Sequence, residues 1–201
     1  MFRLSKADFL HAQKAFRDLD PIVVLDALPK KLYANLKQEA LSSLHEGWLC
    51  CHDGSGTPPA QRCKRGELKK FAREWSASSG LCEQLKKITG CWAKVSWDAS
   101  CYTAYLDVGH YLSPHRDRSE SCAMTLLIYF SSADDTKDPG TSLDCWPLTT
   151  DQKLSIPSME NTLVLLAGDR VLHGRQKLQS SQKIYLLSLC FSLSRNKNDT
   201  H

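Results

Sequence analysis

Up to Trp92 the apolar positions recur mostly at helical spacing, and beyond it they fall into short strand-sized groups. Ser5–Leu19 sets Phe9, Ala12 and Phe16 on one helical face with Ser5 as its N-cap, and Pro21 stops it. Ile22–Leu28 reads as a short apolar strand that Pro29 breaks. Lys31–Leu44 then returns to helical periodicity through Leu32, Leu36, Ala40 and Leu44. Gly54–Pro59 is a loop by its content of glycine, serine, threonine and proline, and Gly66–Ala77 and Leu81–Ile88 are further helical patterns. From Trp92 onward, segments rich in β-branched and aromatic residues are separated by regular turn signals. They are Ala93–Trp97, Cys101–Leu106, Leu112–Pro114, Met124–Phe130, Ser142–Trp146, Leu154–Ile156, Thr162–Leu166, Val171–His173 and Ile184–Leu193. Such spacing belongs to an antiparallel sandwich or barrel. The pattern predicts a single α+β domain over 1–201, with 1–91 as mainly helical support and 92–201 as the β-core.

Composition narrows the class. At 201 residues, 42% hydrophobic and 24% charged, the chain matches one ordinary globular domain and buries about 70% of its unfolded surface. Its longest apolar runs, Thr162–Ala167 and Ile184–Leu189, fall far short of the ~20 residues that a membrane span requires. Met1–Asp20 carries charges throughout and lacks the apolar core of a signal peptide. Nine cysteines, an odd number without an export signal, read as reduced thiols and a cytoplasmic location. A zinc site from Cys50, Cys51, His52 and Cys63 is disfavoured, because adjacent cysteines point apart and no second paired set completes a tetrahedron. The net charge is +4. Its densest patch, Arg62, Lys64, Arg65, Lys69, Lys70 and Arg73, reads as a solvated helix face, and the absence of interleaved aromatics argues against nucleic acid as a partner.

The chemistry concentrates in Gly109-His110-Tyr111-Leu112-Ser113-Pro114-His115-Arg116-Asp117. On an extended backbone residues i and i+2 share a side, so His115 and Asp117 present an imidazole and a carboxylate together. His173, in Ala167-Gly168-Asp169-Arg170-Val171-Leu172-His173-Gly174, supplies a third ligand. Two histidines and a carboxylate form the facial set of non-heme Fe(II) oxygenases, which leaves coordination positions open. Tyr105 precedes His115, Tyr129 lies in the strand after Asp117, and Lys183 opens the apolar strand Ile184–Leu189. A cation there needs an anionic partner, either a protein carboxylate or a small anion. Arg175 competes for that role, but it lies in the polar run Gly174–Gln182, where an arginine is readily solvated, so Lys183 is preferred.

In order and spacing, Tyr105-x9-His115-x-Asp117, the strand holding Tyr129, Asn161–Leu166, His173 and x9-Lys183 resemble the Fe(II)/2-oxoglutarate-dependent oxygenases, in a layout like the prolyl hydroxylase type. The resemblance implies a double-stranded β-helix core, of jelly-roll or cupin-like form, with N-terminal supporting helices. It implies Fe(II) on His115, Asp117 and His173, 2-oxoglutarate as cosubstrate on Lys183 with the Tyr105 and Tyr129 hydroxyls, and O2 as oxidant. Pro139-Gly140-Thr141-Ser142 stands where many relatives carry a Gly-Gly pair. The implied activity is hydroxylation of an unactivated C–H bond, with release of succinate and CO2. The chain's size favours a small-molecule substrate, an amino acid or natural-product intermediate. The alternatives are oxidative demethylation of nucleic acid, hydroxylation of a protein or peptide, and a non-catalytic cupin-like metal-binding module.

Overall fold

The computed structural model describes residues 2, 5–54, 59–131, 138–150 and 152–196, so 55–58 of the predicted Gly54–Pro59 loop lie outside the described residues. In chain order the elements are α1 (Lys6–Asp18), β1 (Ile22–Val24), α2 (Lys30–Glu46), β2 (Trp48–His52), β3 (Gln61–Gly66), α3 (Lys70–Ser76), α4 (Ser79–Thr89) and β4 (Trp92–Val95). There follow β5 (Cys101–Tyr105), β6 (Tyr111–His115), α5 (Ser119–Cys122), β7 (Met124–Tyr129), β8 (Ser142–Trp146), β9 (Leu154–Pro157), β10 (Leu163–Leu166), β11 (Leu172–Arg175) and β12 (Ile184–Ser194).

The helices form where the apolar stripes predict them. Ser5 caps α1 in a reciprocal capping box: its hydroxyl accepts from the Asp8 amide while the Asp8 carboxylate accepts from the Ser5 amide. Leu36, Ala40 and Leu44 of α2 are buried against the sheet, as their spacing requires. The same helix buries Glu39, whose carboxylate accepts from the Phe71 and Ala72 amides at 2.6 and 3.0 Å and from the Tyr102 hydroxyl at 2.7 Å. Lys69, at the N-cap of α3, makes no side-chain cap. A carboxylate from α2 therefore satisfies the start of α3 and ties both helices to β5.

All the strands pair antiparallel in one curled sheet of order β1-β10-β7-β12-β5-β3-β6-β11-β8-β9, with β2 on β3 and β4 on β12. The curl brings the inner faces of β3, β5, β7 and β12 across a cavity from those of β6, β8 and β11. This is the double-stranded β-helix core with helices packed outside it. The nine segments predicted beyond Trp92 all form strands. The first half contributes more than helices, because β3 stands between β5 and β6, and β1 extends the opposite edge on β10. The β1 edge is pinned at Asn161, which sits at positive φ and exchanges two side-chain hydrogen bonds with the backbone of Leu28. Among the described residues no helix is long and apolar enough to cross a membrane.

The expectation of reduced thiols needs correction. Cys122 of α5 and Cys190 of β12 are joined in a disulfide, 68 residues apart, where α5 lies against β12. Cys50, Cys51, Cys63, Cys82, Cys91, Cys101 and Cys145 are free.

Candidate metal centre and its cavity

His115 closes β6, and antiparallel pairing sets His173 of β11 directly opposite it, with the ring centroids 4.5 Å apart. Asp117 follows two residues later, where its amide donates to the Gly168 carbonyl at 2.8 Å. Its Oδ1 lies 3.4 Å from His115 Nε2 and its Oδ2 lies 3.6 Å from His173 Nε2. Each imidazole turns Nδ1 to the carbonyl two residues before it, Ser113 at 3.0 Å and Val171 at 2.9 Å. A carbonyl only accepts, so each Nδ1 carries the proton and each Nε2 offers its lone pair to the common centre.

The protonation states suit a cation. Burial holds the His173 imidazole below its ordinary range, against the pull of Asp117. The Asp117 carboxyl is held below its usual range: burial opposes ionisation, but the two imidazoles beside it and the hydrogen bond from Thr125 outweigh it. The centre offers two imidazole nitrogens and a carboxylate, all within 4.8 Å of one another, a donor set that fits Fe(II). Cys122 and Cys190 also lie beside Asp117, but bonded to each other they offer no thiolate. The fit depends on Gly168, because a Cβ there would collide with Asp117 Oδ2 and Thr125 Oγ1.

The centre opens into a cavity of about 740 Å³. Deep in it lies Arg175, 4% exposed, which donates to the Gly140 carbonyl at 3.0 Å, the Tyr129 hydroxyl at 3.2 Å and the Ser158 hydroxyl at 3.1 Å. Its guanidinium carbon sits 4.9 Å from the centroid of the buried Tyr105 ring. Every one of these neighbours is neutral, and among the described residues no carboxylate pairs with Arg175. A buried cation with neutral partners has the charge to hold an anion. The turn that supplies the Gly140 carbonyl is tight: a Cβ on Gly140 would strike the backbone of Leu178. Asp138 holds that turn by accepting from the amides of Gly140, Gln179 and Ser180.

No protein-family model matches the chain, and no curated protein matches it in sequence. Solved structures do match it. A prolyl-4-hydroxylase from Pseudomonas putida superposes with a TM-score of 0.68 at 14% identity, covering 94% of this chain and 100% of that one. A prolyl hydroxylase from Trichoplax adhaerens, in complex with a hypoxia inducible factor oxygen degradation domain peptide, gives 0.73 at 13% identity, covering 93% and 91%. The epimerase SnoN, in complex with Fe3+, alpha ketoglutarate and nogalamycin RO, gives 0.70 at 11% identity, covering 94% and 84%. The chain has the fold of the 2-oxoglutarate- and Fe(II)-dependent oxygenases.

Within this oxygenase fold, five of the six sequence-predicted site residues converge: His115, Asp117, His173, Tyr105 and Tyr129 all line the cavity. Lys183 does not, and its assignment is corrected. On β12 the residues that face the cavity are Leu186, Ser188, Cys190 and Ser192, so Lys183 has the wrong parity and is exposed on the outside. Arg175, two residues after His173, shares its face and occupies the interior instead. The basic patch also departs from expectation. Arg62, Lys64 and Arg65 belong to β3, not to a helix, and alternation sends Arg65 into the cavity with Gln61 and Cys63 while Arg62 stays outside. Of the rest, Lys69 pairs with Glu46 at 2.7 Å and Arg73 stacks over the Trp97 ring at 5.2 Å.

Proposed function

We propose that the protein is an Fe(II)- and 2-oxoglutarate-dependent oxygenase that oxidises a C–H bond of a small molecule, an amino acid or a natural-product intermediate, with release of succinate and CO2. One observation carries the reading. A three-donor metal centre and a buried guanidinium without a carboxylate partner among the described residues share a single cavity, which is what a ligand chelating at one end and anionic at the other requires. Bound there, the iron and its keto-acid cosubstrate would supply activation of O2.

The chain's own residues bind, orient and exclude water. His115, Asp117 and His173 would hold the ion, with their Nδ1–H groups locked on backbone carbonyls so that both rings keep their aim. Arg175 would grip the far carboxylate of 2-oxoglutarate, helped by the Tyr129 hydroxyl that it already engages. The Tyr105 ring and Leu127, Leu143 and Leu186 would wall the cosubstrate and keep the interior dry. A cavity of about 740 Å³ takes the cosubstrate and one further small molecule, which supports a small substrate over a folded protein.

The test is an anaerobic titration of metal-free protein with Fe(II) and then 2-oxoglutarate, followed through the visible charge-transfer band of the chelate. The band is expected in the wild type and absent in Asp117→Ala. A wild type that binds Fe(II) but never develops the band would overturn the reading.

A further inference from the structure

The cavity holds a second inward-facing cation that the metal centre and the Arg175 site leave unused. Arg65 of β3 lines it beside Gln61 and Cys63 of its own strand and Cys101 and Thr103 of β5. Its Nη2 donates to Gln61 Oε1 at 3.0 Å, and its Nε is buried without a hydrogen-bond partner among the described residues. No described carboxylate pairs with it. Near it also stand Thr103 and the thiols of Cys50, Cys63 and Cys101, with Cys63 in hydrogen-bond reach, and burial pushes the Cys63 thiol up to about 12, so that this neighbour is uncharged at neutral pH. A guanidinium cannot shed its proton to relieve this environment. It stays charged in a semi-apolar wall, a costly placement unless an anion completes it.

Register separates this cation from the first. Arg65 pairs with Thr103, one inward-facing position nearer the metal end of β5 than Tyr105, against whose ring Arg175 is packed. The charge of each arginine reaches the Tyr105 hydroxyl. Of the cations that line the cavity, Lys94, Arg116 and Arg118 are exposed, which leaves Arg65 and Arg175 as the two drawn into its wall.

We propose that Arg65 recognises the anionic group, carboxylate or phosphate, of the molecule to be oxidised, so that the substrate is a small molecule bearing such a group. The inference rests on the oxygenase reading and deepens it. Planar N–H donors suit either group, and the shared cavity limits the distance between that group and the oxidised carbon to the span of a small molecule.

The experiment loads wild-type, Arg65→Gln and Arg65→Lys protein with Fe(II) and 2-oxoglutarate under nitrogen. The probes are free L-amino acids, the corresponding amino-acid amides, glycerol phosphate, glycerol and inorganic phosphate, and perturbation of the chelate band is the readout. The expected result is that a probe bearing the carboxylate or phosphate perturbs the wild-type band about tenfold or more tightly than the amide or the glycerol that lacks it. Arg65→Gln should lose that preference, Arg65→Lys should keep part of it, and 2-oxoglutarate affinity should hold within about threefold in both. Response to amino acids or to phosphates identifies the anion. The inference is overturned if no anionic probe perturbs the wild-type band, if Arg65→Gln binds anions as well as wild type, or if its cosubstrate affinity collapses. That last outcome would make Arg65 a second arm of the cosubstrate site. Failure of the wild-type chelate to form at all is a separate result, which removes the oxygenase reading and this inference with it.

Discussion

The two ends of the cavity are built by different means. At the metal end, two ligands sit on one short stretch and the third stands opposite them on the neighbouring strand, each imidazole steered by the carbonyl two residues before it. At the anion end, Arg175 is held by groups from Tyr129, Gly140 and Ser158, which come from separate parts of the chain. The first is local geometry repeated on two strands. The second exists only once the sheet has curled.

If the metal end stands on its own ligands, breaking it should cost most. Asp117→Ala removes one donor of three and should weaken Fe(II) binding by at least about 100-fold, measured by equilibrium metal titration. Gly168→Ala touches no ligand bond yet drives a methyl into Asp117 and Thr125, and should cost about 10- to 100-fold in metal affinity while the protein stays folded by circular dichroism. Its counterpart at the other end is Gly140→Ala, which shifts the carbonyl that orients Arg175. It should weaken 2-oxoglutarate by about tenfold and leave Fe(II) affinity unchanged.

Asp138 gives the anion end a pH dependence. Burial opposes its ionisation, but hydrogen bonds from Ser180, Gly140 and Gln179 outweigh that and hold its folded pKa below the ordinary carboxylate value. Its stabilisation is therefore complete above that ordinary value and is lost as pH falls through the folded one. Asp138→Asn should lower stability at pH 7 by about 2 kcal/mol and flatten the decline of Tm with acid below about pH 4, as read by thermal melts across pH. The smallest effect is expected of Ser158→Ala, a loss of a few-fold in cosubstrate affinity, since Arg175 keeps its other two partners.

The contrast also marks what was legible in the sequence. The apolar stripes of α1, α2 and α4 and the strands beyond Trp92 stand where their periodicity puts them, because their burial follows from their own residues. The strands β2 and β3 were missed: Trp48–His52 and Gln61–Gly66 carry cysteines and charges, and their strand character comes from pairing with each other and with β5 and β6. The cap on α3 was equally hidden, since Glu39 lies on another helix. The pairing of Cys122 with Cys190 required the packing of α5 on β12.

The choice of Lys183 over Arg175 is the instructive error. Polarity of the local run argued for Lys183, yet the i, i+2 rule that joined His115 to Asp117 also joins His173 to Arg175, and strand parity was the stronger signal. The same rule applied to Gln61, Cys63 and Arg65 would have withdrawn Arg65 from the solvated patch.

The most direct test of a cavity running from the metal centre to Arg175 is the 2-oxoglutarate dissociation constant of the Fe(II)-loaded protein, measured anaerobically in wild type, Arg175→Met and Lys183→Met. Loss of a buried charge-assisted anchor should weaken Arg175→Met by about 100-fold, and Lys183→Met should match wild type. The reverse pattern, with Lys183→Met impaired and Arg175→Met intact, would contradict the account at its centre.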